Sequence, residues 1–120
     1  MFNVIIIGGE DTENYDFFKK KTAECLINKA RSGEGITILT TGDAFIDEFT
    51  KQFRIDKQFF PTDWRTFGKE ALKYRNEEIL KRANAIIFFQ NGRKDSQILF
   101  DMAVKRKLPN RLIEPPKDEE

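Results

Sequence analysis

The sequence predicts a three-layer α/β domain: a mainly parallel sheet of about five strands, with helices covering both faces. Three observations carry this reading. Short β-branched or aromatic runs alternate with longer stretches of helical periodicity. The runs are apolar almost throughout, as strands buried on two faces must be. Glycine and small polar residues close the strands and open the helices. The 120 residues suit one domain, and twelve phenylalanines supply the burial area such a sheet uses.

Each element follows in order. Asn3–Ile7 is a strand ending at Gly8-Gly9; the apolar run MFNVIII is far too short to span a membrane. Asn14–Arg31 has helical periodicity and stops before Gly33 and Gly35. Within it Tyr15, Phe18, Thr22, Cys25 and Leu26 form an inward stripe. Ile36–Thr41 is a second buried strand. Asp43–Arg54 is a helix with Phe45, Phe49 and Phe53 on one face. Lys57–Phe60 is a short third strand closed by Pro61. A helix runs from Gly68 to about Arg82. The fourth strand, Ala85–Phe89, is AIIFF. Asp95–Lys107 is a helix with Ile98, Leu99, Met102 and Ala103 inward, and Arg111–Ile113 is an edge strand. The expected strand order is 3-2-1-4-5. Residues 1–114 make the domain, and 115–120 a flexible tail.

Composition excludes several functions. Net charge is +1, with 21 basic residues interleaved among 20 acidic ones, so nucleic acid is not an expected partner. No histidine is present, which removes the common triads and most transition-metal sites. Cys25 is the single cysteine, so no intrachain disulfide forms, as suits a reducing, cytoplasmic setting. No membrane partner, metal or cofactor is expected.

Ligands of open parallel sheets bind beyond the carboxyl ends of the strands. Those ends carry Gly8 and Gly9; Thr41, Gly42 and Asp43; Thr62, Asp63 and Trp64; and Asn91, Gly92, Arg93 and Ser96. Helix starts there suit anions. Plainer readings stand beside these: turn glycines, a helix cap at Asp43, a packed Trp64. The sharpest anomaly is Arg75-Asn76. Both fall on the apolar stripe of Leu72, Ile79, Leu80 and Ala83. Polar groups there need partners, either a ligand or an ion pair with Asp63 or Asp47.

The segment Asp63–Leu80 resembles the YspA-like branch of the SLOG superfamily: Asp63-Trp64, Gly68-Lys69, Ala71, Arg75-Asn76 and the apolar pair Ile79-Leu80. These are Rossmann-like domains related to the lonely-guy phosphoribohydrolases. IIIGG resembles the first strand and its Gly-Ser-Arg turn, with Gly9-Glu10 replacing the last two residues. TTGDAFID resembles the second glycine loop, with Gly42 and Asp47 on motif positions and Phe45 where a glycine is usual. ANAIIFFQNGRKDS resembles the last strand and its Gly-Gly-x-Gly-Thr phosphate loop, keeping Gly92 and Ser96.

The resemblance implies a pocket for a nucleotide or nucleotide-derived molecule. Arg75 and Asn76 would meet phosphate or ribose, the loop Asn91–Ser96 would offer N–H groups, and Asp47 and Asp63 would orient helices or touch ribose hydroxyls. The position of the phosphoribohydrolase glutamate falls on Leu99; Asp101 lies two positions on, about 200° round the helix. The expectation is therefore binding: a stand-alone sensor or sponge for an ADP-ribose-like or cyclic ADP-ribose-like signal, as in antiphage defence, working as a homo-oligomer. The alternative is an N-glycosidase acting on a nucleoside monophosphate through Glu10, Asp11, Asp43, Asp47 or Asp63. A third reading is a protein-interaction domain presenting exposed phenylalanines around a vestigial pocket.

Overall fold

The computed structural model describes residues 1–115. Residues 116–120 of the expected flexible tail lie outside that range. Five parallel strands, β1 (Phe2–Ile7), β2 (Ile36–Thr40), β3 (Asp56–Phe59), β4 (Ala85–Phe89) and β5 (Asn110–Ile113), form one sheet in the order 3-2-1-4-5. Helices α1 (Tyr15–Arg31), α2 (Ala44–Phe53), α3 (Trp64–Phe67), α4 (Ala71–Arg82) and α5 (Lys94–Lys105) connect them. The fold is Rossmann-like, as the sequence predicts.

Side chains alternate along each strand, so the central strands feed two cores. Val4, Ile6, Ile38, Ile87 and Phe89 meet Phe18 and Leu26 of α1 and Ile46 and Phe49 of α2. Ile5, Ile7, Leu39, Ile86 and Phe88 meet Ile79 and Leu80 of α4 and Leu99, Phe100 and Ala103 of α5. Phe18 is the hub of the first core, with Phe45, Phe49 and Phe89 around its ring. Loss of such a ring costs about 3–5 kcal/mol.

The structure corrects several details. Strand β3 ends one residue earlier than expected; Phe60 is buried beyond it, its N–H donating to the Thr40 carbonyl. The expected helix from Gly68 begins as one tighter turn, Gly68–Glu70, and continues as α4; a short helix that the sequence reading did not include, α3, precedes it. Asp63 caps α3, and Gly68, at φ 54 and ψ −126, breaks the chain before α4. Only glycine reaches that backbone geometry cheaply. Phe53 ends α2 and is exposed, with Ile46 and Thr50 joining Phe49 in the buried stripe. Ile98 is exposed because Leu99, Phe100 and Ala103 define the inward face of α5. On α4 the buried set is Ala71, Asn76, Ile79 and Leu80, leaving Leu72 half-buried. Cys25 is also half-buried, and burial pushes its thiol pKa up. Among the described residues, no helix is long and apolar enough to cross a membrane.

Candidate functional site

The strand order places β1 between β2 and β4, so the chain leaves the sheet centre in opposite directions from these two neighbours. A crevice opens at such a switch point. Here it is a cleft of about 330 Å³ beyond the ends of β1, β2 and β3. Gly8, Thr41, Gly42, Trp64, Arg75, Arg93 and Ser96 line it, as do Glu10, Asp11, Asp43, Thr62, Leu72 and Asp95. Gly9, Asp47, Asp63, Asn76, Asn91 and Gly92 stand outside that lining.

The two glycines after β1 are fixed by packing. A Cβ on Gly8 (φ +82) would sit 2.1 Å from the Phe89 carbonyl oxygen. One on Gly9 would press into the Phe18 ring, 2.4 Å from its nearest atom. The tight turn carries Glu10 over the start of α2. There Asp43 is the N-cap: its Oδ1 accepts from the N–H groups of Phe45 (2.9 Å) and Ile46 (3.4 Å). Its Oδ2 accepts from the Glu10 N–H (3.1 Å), and Glu10 Oε2 accepts from the Ala44 N–H (2.8 Å). Two carboxylates thus fill this helix start. Burial pushes the Asp43 carboxyl above the usual range, with Glu10 adding repulsion and the N–H donors opposing both.

The start of α5 differs. Its N-cap is Arg93, whose side chain makes no capping bond, and of the first-turn N–H groups only that of Ser96 meets a side-chain acceptor, Asp95 Oδ1 (2.9 Å). Asn91 braces the loop from behind: its Oδ1 accepts from the Arg93 N–H (3.0 Å), and its Nδ2 donates to Asp11 Oδ2 (2.8 Å) and Ser96 Oγ (3.1 Å). The Arg93 guanidinium lies near Asp11 (3.8 Å) and Asp95 (3.5 Å). Gly92, at φ +73, makes the turn.

Arg75 is the centre of the site. The sequence left two partners open for it, and the structure shows a third arrangement. Its Nε and Nη2 both donate to Asn76 Oδ1, at 3.2 and 3.0 Å, and its Nη1 donates to Thr62 Oγ1 at 3.1 Å. Among the described residues it has no salt bridge; Asp47 pairs instead with Lys57, and Asp63 caps α3 through the Thr66 N–H. A guanidinium has five N–H donors. Three are used, which leaves one on each terminal nitrogen. Desolvation lowers the Arg75 pKa, partly offset by the field of Asp95. A half-buried cation held by neutral partners, with a fork to spare, is suited to an oxyanion.

Asn76 is buried and does not face the cleft. Its carbonyl orients Arg75, and its amide donates to the Met102 sulfur at 3.8 Å. Trp64 opens α3 at the cleft rim, 56% exposed. Leu99 is buried in the core, 1% exposed.

Sequence reasoning placed Thr62 at a strand end without giving it a role, did not assign Leu72 or Asp95 to the site, and treated Glu10 only as a possible acid. The signal for Glu10 was present: in this strand order the residue after β1 adjoins the start of the helix after β2. The fold and site define a Rossmann-like protein with a polar cleft at the switch point. Beyond that class the comparisons add nothing, since no family profile, curated protein or solved structure matches the chain.

Proposed function

We propose that the cleft binds a nucleotide or nucleotide-derived signalling molecule, seating one anionic group on Arg75, and that the protein senses or sequesters it without cleaving it. The observation behind this reading is the half-buried Arg75 guanidinium, which lacks a carboxylate partner among the described residues. Charge refines the ligand class. Four carboxylates, Glu10, Asp11, Asp43 and Asp95, line the cleft against two guanidiniums, Arg75 and Arg93. Each added phosphate therefore meets repulsion, and ligands with fewest charges rank first. Glu10 and Asp11 suit sugar hydroxyls, which donate to carboxylates. ADP-ribose-like and cyclic ADP-ribose-like molecules carry no more negative charge than a nucleoside monophosphate and stand beside it in the class, ahead of a triphosphate. We take the protein to act in the cytoplasm and as a homo-oligomer.

Thermal shift and calorimetry with AMP, ADP-ribose and ATP test this. A ligand at about a hundred times its Kd should add about 2.7 kcal/mol of stability. AMP and ADP-ribose are expected to bind more tightly than ATP. Arg75→Ala should weaken AMP by about 10- to 100-fold, the loss of a charge-assisted hydrogen-bond pair, while the fold persists. Absence of a shift with all three overturns the proposal. Free base recovered from the mixture would replace binding with N-glycoside hydrolysis.

A further inference from the structure

We infer that a second pocket, adjoining the cleft at Arg75, is the subsite for the planar heteroaromatic ring of the same ligand. This rests on the proposed function above. The pocket, about 360 Å³, lies between the end of β3 and helices α3 and α4. Phe60, Pro61, Phe67, Ala71 and Tyr74 give it apolar walls, and Arg75 is common to both cavities.

The two cavities divide the chemistry. The strand-end cleft is walled largely by glycine, threonine and charged residues, which suit sugar and phosphate. A ring gains most from apolar walls, because its burial is driven by area removed from water. Trp64 offers one exposed face among carboxylates. The second pocket instead gathers several apolar side chains along one wall. Phe67 and Tyr74 are stacked, with centroids 4.2 Å apart and planes 29° apart. Residues seven apart on an unbroken helix lie about 10.5 Å apart along its axis. The break at Gly68 is what folds Phe67 back against Tyr74. Gln58 and Glu78 at the rim supply an amide and a carboxylate for the ring's polar edge. The pocket is within the size range of small-molecule sites, and continuity through Arg75 ties its occupant to the ligand in the cleft.

Calorimetry with AMP and ribose 5-phosphate separates ring from sugar phosphate. The wild type should bind AMP more tightly than ribose 5-phosphate. Tyr74→Ala should weaken AMP by about tenfold, the loss of one stacking platform, and leave ribose 5-phosphate unchanged. Phe67→Ala should act in the same direction; any loss from Trp64→Ala, at the cleft rim, should fall equally on AMP and ribose 5-phosphate. All three side chains are exposed, so the fold should tolerate their loss. The inference is overturned if Trp64→Ala alone erases the advantage of AMP. It is also overturned if Tyr74→Ala leaves AMP affinity intact and instead changes the sedimentation of the free protein, which would make this aromatic wall a contact between copies. If both probes bind the wild type equally, the ring site fails and the proposed function survives. If neither binds, both fall.

Discussion

Helices α2 and α5 begin on either side of the end of β1, and their starts are built differently. At α2, Asp43 and Glu10 satisfy the N–H groups of Ala44, Phe45 and Ile46. At α5, a guanidinium, Arg93, stands in the N-cap position without capping, and a single carboxylate, Asp95, takes one N–H, that of Ser96. A Rossmann-like fold presents an anion-binding helix start after several of its strands. This chain uses one of them for architecture, tying the β1 turn to α2, and leaves the other less filled, with Asp95 on one N–H, beside Arg75. The difference sets where a ligand's negative group belongs: toward α5 and Arg75, away from Glu10 and Asp43.

The comparison breaks most readily at Asp43. Asp43→Ala removes a cap and the acceptor for the Glu10 N–H together, so unfolding in urea should show a loss of about 2 kcal/mol. A loss below about 0.5 kcal/mol, the usual range for surface changes, would mean that the α2 start is satisfied by water and is no more closed than α5. Arg93→Ser sharpens the contrast from the other side. It gives α5 the cap it lacks, which should raise stability by about 0.5–1 kcal/mol. It also removes a cation from the open end, so AMP should bind several-fold more weakly. Unchanged affinity would show that α5 takes no part in the site.

Much of this was legible in the sequence, for identifiable reasons. The apolar strands are buried on both faces, so Val4–Ile7 and Ile86–Phe89 declare themselves by composition alone. Cleft residues such as Gly8, Thr41, Gly42 and Arg93 were legible because strand ends fix their place, and Arg75 because it breaks an apolar helix stripe. What was hidden depends on where side chains point across the fold. Asn76 and Arg75 share the same apolar stripe in sequence, yet one turns inward to hold the other. Asp47, expected from the sequence to be a ligand residue, turns outward to Lys57. The α3–α4 break rests on one backbone angle at Gly68, and α3 before it, four residues long, is too short to show a helical period.

The smallest effect compares Asp43 with Asp63, the N-caps of α2 and α3. Burial raises the Asp43 pKa, so the folded protein holds that proton more tightly than the unfolded chain. Stability from this source is present in full below the ordinary aspartate range and is lost as pH rises through the folded value. Asp63 is exposed, and its bonds with Thr66 lower its pKa. Its contribution is present above the ordinary range and is lost as pH falls through the folded value. Unfolding free energies of the wild type, Asp43→Asn and Asp63→Asn, from about pH 3 to about pH 7, should therefore diverge in opposite senses. The wild type's advantage over Asp43→Asn should shrink with rising pH, while its small advantage over Asp63→Asn should grow. If the Asp43 difference also grows, the three N–H donors outweigh burial. The α2 start would then be a strong anion site that the protein fills with its own carboxylate, and the contrast with α5 would lie in occupancy alone.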